Sequence, residues 1–148
     1  MPTASTAALI CDTGALLDYL VESASDHRLF RNAIDQARTR YIPALVLVEL
    51  DYFLRNERQA MQIFMRDIAR GAFTYVPPSF DQLLRAMEID RRYADLGLGL
   101  VDGSVVALAE ALGIRRLATR DVRHVAAVRL PDGSSFDLVV LPTDPDRS

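Results

Sequence analysis

The sequence contains no lysine and no tryptophan, and it has only one cysteine, Cys11, and two histidines, His27 and His124. A single cysteine excludes an internal disulfide framework and is typical of a reducing compartment, so we expect a cytoplasmic protein. Two isolated histidines and one cysteine do not supply the ligands of a zinc site.

Long apolar runs are also missing, because charged residues interrupt each one well before the length of a membrane span. The first residues have no basic segment followed by an apolar segment, so we expect no signal peptide. The sequence has no Walker motif, no Gly-x-Gly-x-x-Gly after a strand and no Gly-x-Ser-x-Gly. The net charge of -3 over 148 residues excludes a general attraction to nucleic acid.

Predicted strands and helices alternate along the chain, which favours an α/β fold with a central parallel sheet flanked by helices. Apolar runs and turn residues predict strands at about 7–11, 41–42, 73–76, 116–119 and 136–141. Periodicity and capping residues predict helices at about 13–20, 25–38, 43–55, 56–70, 79–93 and 101–112. We expect a single domain over residues 1–148, with flexible ends at 1–6 and 142–148.

Four carboxylates stand within or at the end of strongly apolar segments: Asp12, Glu49, Asp102 and Asp121. Asp12 and Asp121 follow predicted strands, where α/β sheets bind ligands. The neighbours of Asp102 and Glu49 at helical spacing are apolar, which predicts that both side chains point inward, although Asp51 scores almost as well as Glu49. Buried carboxylates are rare unless paired or bound to a metal. We therefore expect one acidic site that binds a hard cation, Mg²⁺ or Mn²⁺.

The order of these motifs resembles that of the PIN-domain ribonucleases, above all the toxins of bacterial VapBC toxin–antitoxin systems. The resemblance runs from Leu9 to Leu141 and is carried by Asp12-Thr13, Pro43…Glu49-Leu50, Leu98-Gly99-Leu100-Val101-Asp102-Gly103-Ser104 and Ala118-Thr119-Arg120-Asp121. It implies a PIN-like three-layer sandwich and a Mg²⁺- or Mn²⁺-dependent endoribonuclease. A cognate antitoxin, an RNA substrate and a homodimer are the implied partners.

Carried over position by position, the resemblance makes the four carboxylates the catalytic and metal-binding residues, with Thr13 and Thr119 as supporting groups beside them. Two departures stand out: Gly103 replaces a common alanine, and His124-Val125 replaces a common basic–aromatic pair.

Surface residues supply further hypotheses. A basic run beside Asp121 is either an RNA contact or a solvated surface. Its members are Arg115, Arg116, Arg120 and Arg123. The helix predicted at 43–55 is too apolar to have one buried face, so we expect a partner to cover an apolar groove. That groove would be formed around Tyr52, Phe53, Phe64 and Met65.

Less specific interpretations remain open. Taken singly, Asp12, Asp102 and Asp121 are explained as helix or loop caps, and Glu49 as a residue at the edge of the core. A receiver-type phosphoacceptor domain would need an acidic pair after the first strand and a lysine after a late strand, and this chain has one Asp and no lysine. A catalytically silent PIN-like module that only binds its antitoxin is the other alternative.

Overall fold

A computed structural model describes residues 8–143. Its centre is a five-stranded parallel sheet with the strand order β3-β2-β1-β4-β5. The strands are β1 Ala8–Cys11, β2 Thr39–Pro43, β3 Thr74–Val76, β4 Arg116–Ala118 and β5 Asp137–Leu138. The predicted α/β class with a parallel central sheet is confirmed.

The central strand, β1, is the most apolar one, and its sequence Ala-Leu-Ile-Cys is buried on both faces as expected in a parallel sheet. After β1 the chain builds β2 and β3 on one side, and it later returns to place β4 on the other side of β1. The strand order therefore reverses between β1 and β4. The crevice outside the carboxyl ends of these two strands is where such sheets bind ligands.

Seven α-helices connect the strands within the described part of the chain. They are α1 Thr13–Leu20, α2 His27–Gln36, α3 Ala44–Phe53, α4 Arg58–Ala69, α5 Phe80–Arg92, α6 Gly99–Leu112 and α7 Val122–Ala127. Helix α1 packs against α2 and α3, whereas α6 packs against α5, α3 and β2. None of these helices is both long and apolar enough to cross a lipid bilayer.

Helices α5 and α6 approach closely at Gly103. A Cβ atom at this position would lie 2.5 Å from the carbonyl oxygen of Ala86, which is closer than real Cβ contacts. The glycine that replaces a common alanine therefore lets the two helices pack tightly. It lies one residue after Asp102 and fixes the start of α6 against α5.

The sequence missed some local structure. Helix α7 was not predicted, and the predicted strand at 136–141 forms a ladder only at Asp137–Leu138. Within the end predicted to be flexible, Pro142 is buried and Thr143 donates hydrogen bonds to Asp26. The rest of that prediction, at 144–148, and the one at 1–6 lie outside the described residues.

Candidate active site

The four carboxylates predicted from the sequence line a single cavity of about 370 Å³. Asp12 directly follows β1, and Asp121 follows β4, so the two carboxylates lie at the point where the strand order reverses. Glu49 comes from the middle of α3, and Asp102 comes from the first turn of α6. Asp51, the alternative to Glu49, instead pairs with Arg58 at 2.8 Å on the surface.

Two threonines tie these carboxylates together. The Thr119 hydroxyl donates to Oδ2 of Asp12 at 3.0 Å and accepts a 3.0 Å hydrogen bond from the backbone N–H of Asp121. The Thr13 hydroxyl donates to Oε1 of Glu49 at 2.6 Å, and its backbone N–H donates to Oδ1 of Asp12 at 2.8 Å. Both threonines are buried, and their hydroxyls are oriented by the carboxylates to which they donate.

Burial and mutual repulsion disfavour the ionised acids. Burial raises the pKa of Asp12 to about 6, against the hydrogen bonds from the Thr13 backbone and the Thr119 hydroxyl, which lower it. Burial is also the main cause that raises the pKa of Asp102 to about 7, and the charges on Asp12, Asp121 and Glu49 add to it. A cavity that raises carboxyl pKa values in this way is a place where a cation would be stabilised.

The donor chemistry of this cavity fits a hard divalent cation, because all four acidic groups offer oxygen and no cysteine lines the cavity. The acidic side chains are, however, widely spaced around the cavity. Among residues 8–143, no group of three or more His, Cys, Asp and Glu side chains is spaced to hold a metal ion as it stands. The carboxylates therefore surround the cavity without forming a closed cage. Mg²⁺ characteristically binds through one or two carboxylates and keeps several waters.

The four predicted RNA-contact arginines are not together in the structure. Arg115 and Arg116 stand at the amino end of β4, opposite to the carboxyl end that carries the acidic cavity. Arg115 donates to the backbone oxygen of Ser135, and Arg116 approaches Asp137 at 4.0 Å. Only Arg123 combines an exposed side chain with a position on α7, the helix that follows Asp121.

Arg120 is largely buried and forms ion pairs within the protein. Its guanidinium forms ion pairs with Asp18 and with Asp26, the latter at 2.8 Å, and only 9% of its side chain is exposed. Burial opposes ionisation of Arg120, but the two carboxylates outweigh it and raise the pKa of the guanidinium. The stem of Arg120 packs over Gly14, where a Cβ atom would lie 3.1 Å from the Cβ of the arginine. The Arg120 guanidinium is therefore engaged in ion pairs within the protein, although the residue also lines the acidic cavity.

Sequence reasoning treated His124 only as a departure from a familiar motif, yet it lines the cavity. Its Nδ1 lies 2.9 Å from Oδ1 and 3.1 Å from Oδ2 of Asp121. Its spacing of three residues from Asp121 was the available signal, but that signal depends on helix α7, which was not predicted. Leu17 and Phe53 also line the cavity and give it an apolar wall.

The predicted apolar groove is only partly present. Phe64 is fully buried and packs edge-on against Phe73, with ring centroids 5.0 Å apart, so it cannot face a partner. Tyr52, Phe53 and Met65 are exposed as expected.

Comparison with known proteins matches this chain to the PIN domain model over residues 9–130. Ribonuclease VapC26 of Mycobacterium tuberculosis is 31% identical over 134 residues, which cover 88% of this chain and 99% of the relative.

Solved structures with the same fold include the sarcin–ricin-loop-cleaving toxin VapC20 of Mycobacterium tuberculosis, with a TM-score of 0.67 and 17% identity over 74% of this chain and 86% of that one. A toxin–antitoxin complex from Klebsiella pneumoniae has a TM-score of 0.64 and 21% identity over 81% and 92% of the two chains. VapBC2 of Rickettsia felis, bound to a DNA fragment from its promoter, has a TM-score of 0.63 and 14% identity over 88% and 98%.

Proposed function

The chain belongs to the PIN-domain family, and we propose that it is a metal-dependent endoribonuclease that acts in the cytoplasm as the toxin of a type II toxin–antitoxin system. The observation that carries the proposal is the convergence of Asp12, Glu49, Asp102 and Asp121 on one cavity. These residues come from four separate parts of the chain. Four independent capping or surface roles would not bring them to the same crevice.

Mg²⁺ or Mn²⁺ is the proposed cofactor, and Asp12, Glu49, Asp102 and Asp121 are the residues that would hold it. When bound, the ion would supply a water of lowered pKa and neutralise charge on the phosphodiester. The protein's own groups prepare the site for it. Thr119 and the Thr13 backbone fix both oxygens of Asp12, and the Thr13 hydroxyl fixes Glu49. Among residues 8–143, no donor satisfies Asp102, whose carboxylate is left for a cation or a water.

The proposed substrate is RNA in single-stranded or looped form. This follows from the relationship to Ribonuclease VapC26 and is supported by a fold shared with a toxin that cleaves the sarcin–ricin loop. With a net charge of -3, the protein has little general attraction to a phosphate backbone, so binding must depend on local contacts. Of the four arginines considered from the sequence, Arg123 is the one that we retain for such a contact.

The proposed protein partner is a cognate antitoxin, in agreement with the toxin–antitoxin complexes that share this fold. The outer face of α3 is the surface that fits it best. On this helix Val48 is 70% and Tyr52 61% exposed, and on the neighbouring face Phe53, which is 52% exposed, lines the acidic cavity together with Glu49. A segment that covers these side chains would bury apolar area and stand beside the catalytic groups at the same time.

A homodimer is the remaining proposal, and a different surface supports it. Phe80, Leu84 and Met87 recur at intervals of four and three residues on α5, and each is at least half exposed. Such a stripe is apolar on the outer side of a helix whose inner side already packs against α6. Light scattering of the isolated chain tests it: a monomer at all concentrations would contradict the dimer.

The test of the proposed activity is cleavage of total RNA by the purified chain in Mg²⁺, in Mn²⁺ and in EDTA. We expect cleavage only with a divalent ion, and none from Asp102→Asn. Asp95→Asn is the matched control, because Asp95 is exposed and does not line the cavity. Cleavage that persists in EDTA would contradict the metal site. A chain that binds its antitoxin and Mn²⁺ but cleaves no RNA would instead be the silent binding module.

A further inference from the structure

The short helix α7 begins beside the acidic cavity in an unusual way. Asp121 is its N-cap residue, the position at which an aspartate side chain normally accepts a hydrogen bond from one of the first free backbone N–H groups. Here the Asp121 side chain makes no such bond. The backbone N–H of Asp121 is itself occupied, because it donates to the Thr119 hydroxyl. The carboxylate is thus withheld from the helix that it begins.

His124 accounts for this arrangement. It is the third residue of α7, and its Nδ1 lies within hydrogen-bond distance of both carboxylate oxygens of Asp121, at 2.9 Å and 3.1 Å. A carboxylate only accepts hydrogen bonds, so Nδ1 carries the hydrogen, and this holds for the neutral ring as well as for the charged one. Both side chains line the cavity that contains Asp12 and Asp102.

We propose that His124 is a positioning residue: its Nδ1–H competes with the backbone N–H groups of α7 for the Asp121 carboxylate and holds that carboxylate toward the acidic cavity. The inference rests on the proposed function, in which Asp121 binds the divalent cation. It adds a residue whose role is exerted through Asp121.

Two variants separate this role from a structural one. His124→Ala removes the donor, whereas His124→Asn places an amide N–H close to the position of Nδ1 and serves as the matched control. Mn²⁺ binding to the purified chain is measured by isothermal titration calorimetry, and thermal melts are recorded in EDTA. Removal of groups that orient metal ligands typically weakens metal binding about 10- to 100-fold. We expect a loss in that range for His124→Ala and binding within about threefold of the unaltered chain for His124→Asn.

The melting temperature distinguishes this role from a merely structural one, because removal of a structural histidine would lower it. In His124→Ala the carboxylate is released to cap α7, so we expect a melting temperature no lower than that of the unaltered protein. A crystal structure of metal-free His124→Ala should show Asp121 accepting from a backbone N–H in the first turn of α7.

Three results would overturn the proposal: Mn²⁺ affinity of His124→Ala within twofold of the unaltered chain, equal losses in both variants, or an Asp121 carboxylate that does not move in the variant structure. If the unaltered chain binds Mn²⁺ and cleaves RNA in these cases, the proposed function stands without this role for His124. If the unaltered chain neither binds Mn²⁺ nor cleaves RNA, the proposed function fails, and the variant structure alone decides whether His124 orients Asp121.

Discussion

Replacement of Asp102 by asparagine should stabilise the metal-free protein above neutral pH, although it removes a proposed catalytic group. The pKa of Asp102 is raised from 3.8 to about 7, first by burial and then by the neighbouring carboxylates. At pH values between these two pKa values, Asp102 holds a proton in the folded protein that it has lost in the unfolded chain. The free energy of unfolding of the unaltered protein therefore falls as the pH rises through this window. Above pH 7 the full cost of ionising buried Asp102 is present. Asparagine resembles the protonated acid and escapes the loss.

The size of the effect follows from the same values. Each pKa unit corresponds to about 1.4 kcal/mol, so a rise from 3.8 to about 7 sets an upper limit of about 4 kcal/mol. The cavity is open to water, and neighbouring acids share the repulsion, so we expect a gain of about 1 to 2 kcal/mol at pH 8. The gain should shrink steadily toward pH 4, where the aspartic acid of the unaltered protein is as neutral in the folded state as the asparagine of the variant.

Urea denaturation in EDTA at several pH values between 4 and 8 measures this difference, with Asp95→Asn as the exposed control. In Mg²⁺ the stability difference between Asp102→Asn and the unaltered protein should become smaller or change sign. An ion that binds only the folded state stabilises the unaltered protein more than the variant. The reasoning would be refuted if Asp102→Asn lost stability in EDTA, or if its pH curve ran parallel to that of the unaltered protein. Either result would show that Asp102 has a structural role.

Three further changes probe the surroundings of the site. Arg120→Met should cost about 3 kcal/mol in urea denaturation, because it leaves the carboxylate of Asp26 buried without its cation; an unchanged midpoint would mean that the ion pair contributes nothing. Arg123→Gln should weaken RNA binding and reduce its salt slope by about 1 while Mn²⁺ affinity stays the same, and an unchanged slope would place the RNA contact elsewhere. Gly103→Ala should lower the unfolding free energy by about 1 to 3 kcal/mol through its clash with the Ala86 carbonyl, with no loss if α5 can move away.

The sequence predicted the acidic cavity well because its signals are local. Asp12 stands after a run of four apolar strand residues, and the position of Asp102 on the buried face of α6 follows from helical spacing alone. The parallel pairing of β4 with β1 then brings the carboxyl ends of these two strands together. The capping interpretation of Asp12 was also correct: one of its oxygens accepts from the Thr13 backbone while the residue lines the cavity. A capping hydrogen bond and a place in the cavity are therefore compatible for this residue.

The structure divides the basic run for a physical reason. Residues that are close in sequence lie far apart when a strand runs between them. Arg115 and Arg116 are therefore at one end of β4, and Arg123 is beyond the other end. Nothing near Arg120 in the sequence indicates its partners, since Asp26 is 94 positions away. Pairing across such a distance requires the tertiary structure. Helix α7 was missed because its six residues are too few to show helical periodicity.

The segment from Thr119 to Asp121 shows how this fold holds like charges close together. Thr119 bonds to Asp12 and to the Asp121 backbone, which ties the ends of β1 and β4 to each other. Arg120 anchors the same segment to α2 through Asp26, which in turn accepts two hydrogen bonds from Thr143 near the end of the described chain. The backbone at the cavity is thus held by Thr119 on the side of β1 and by Arg120 on the side of α2. Asp12 and Asp121 can therefore keep their positions in one cavity although their like charges repel each other.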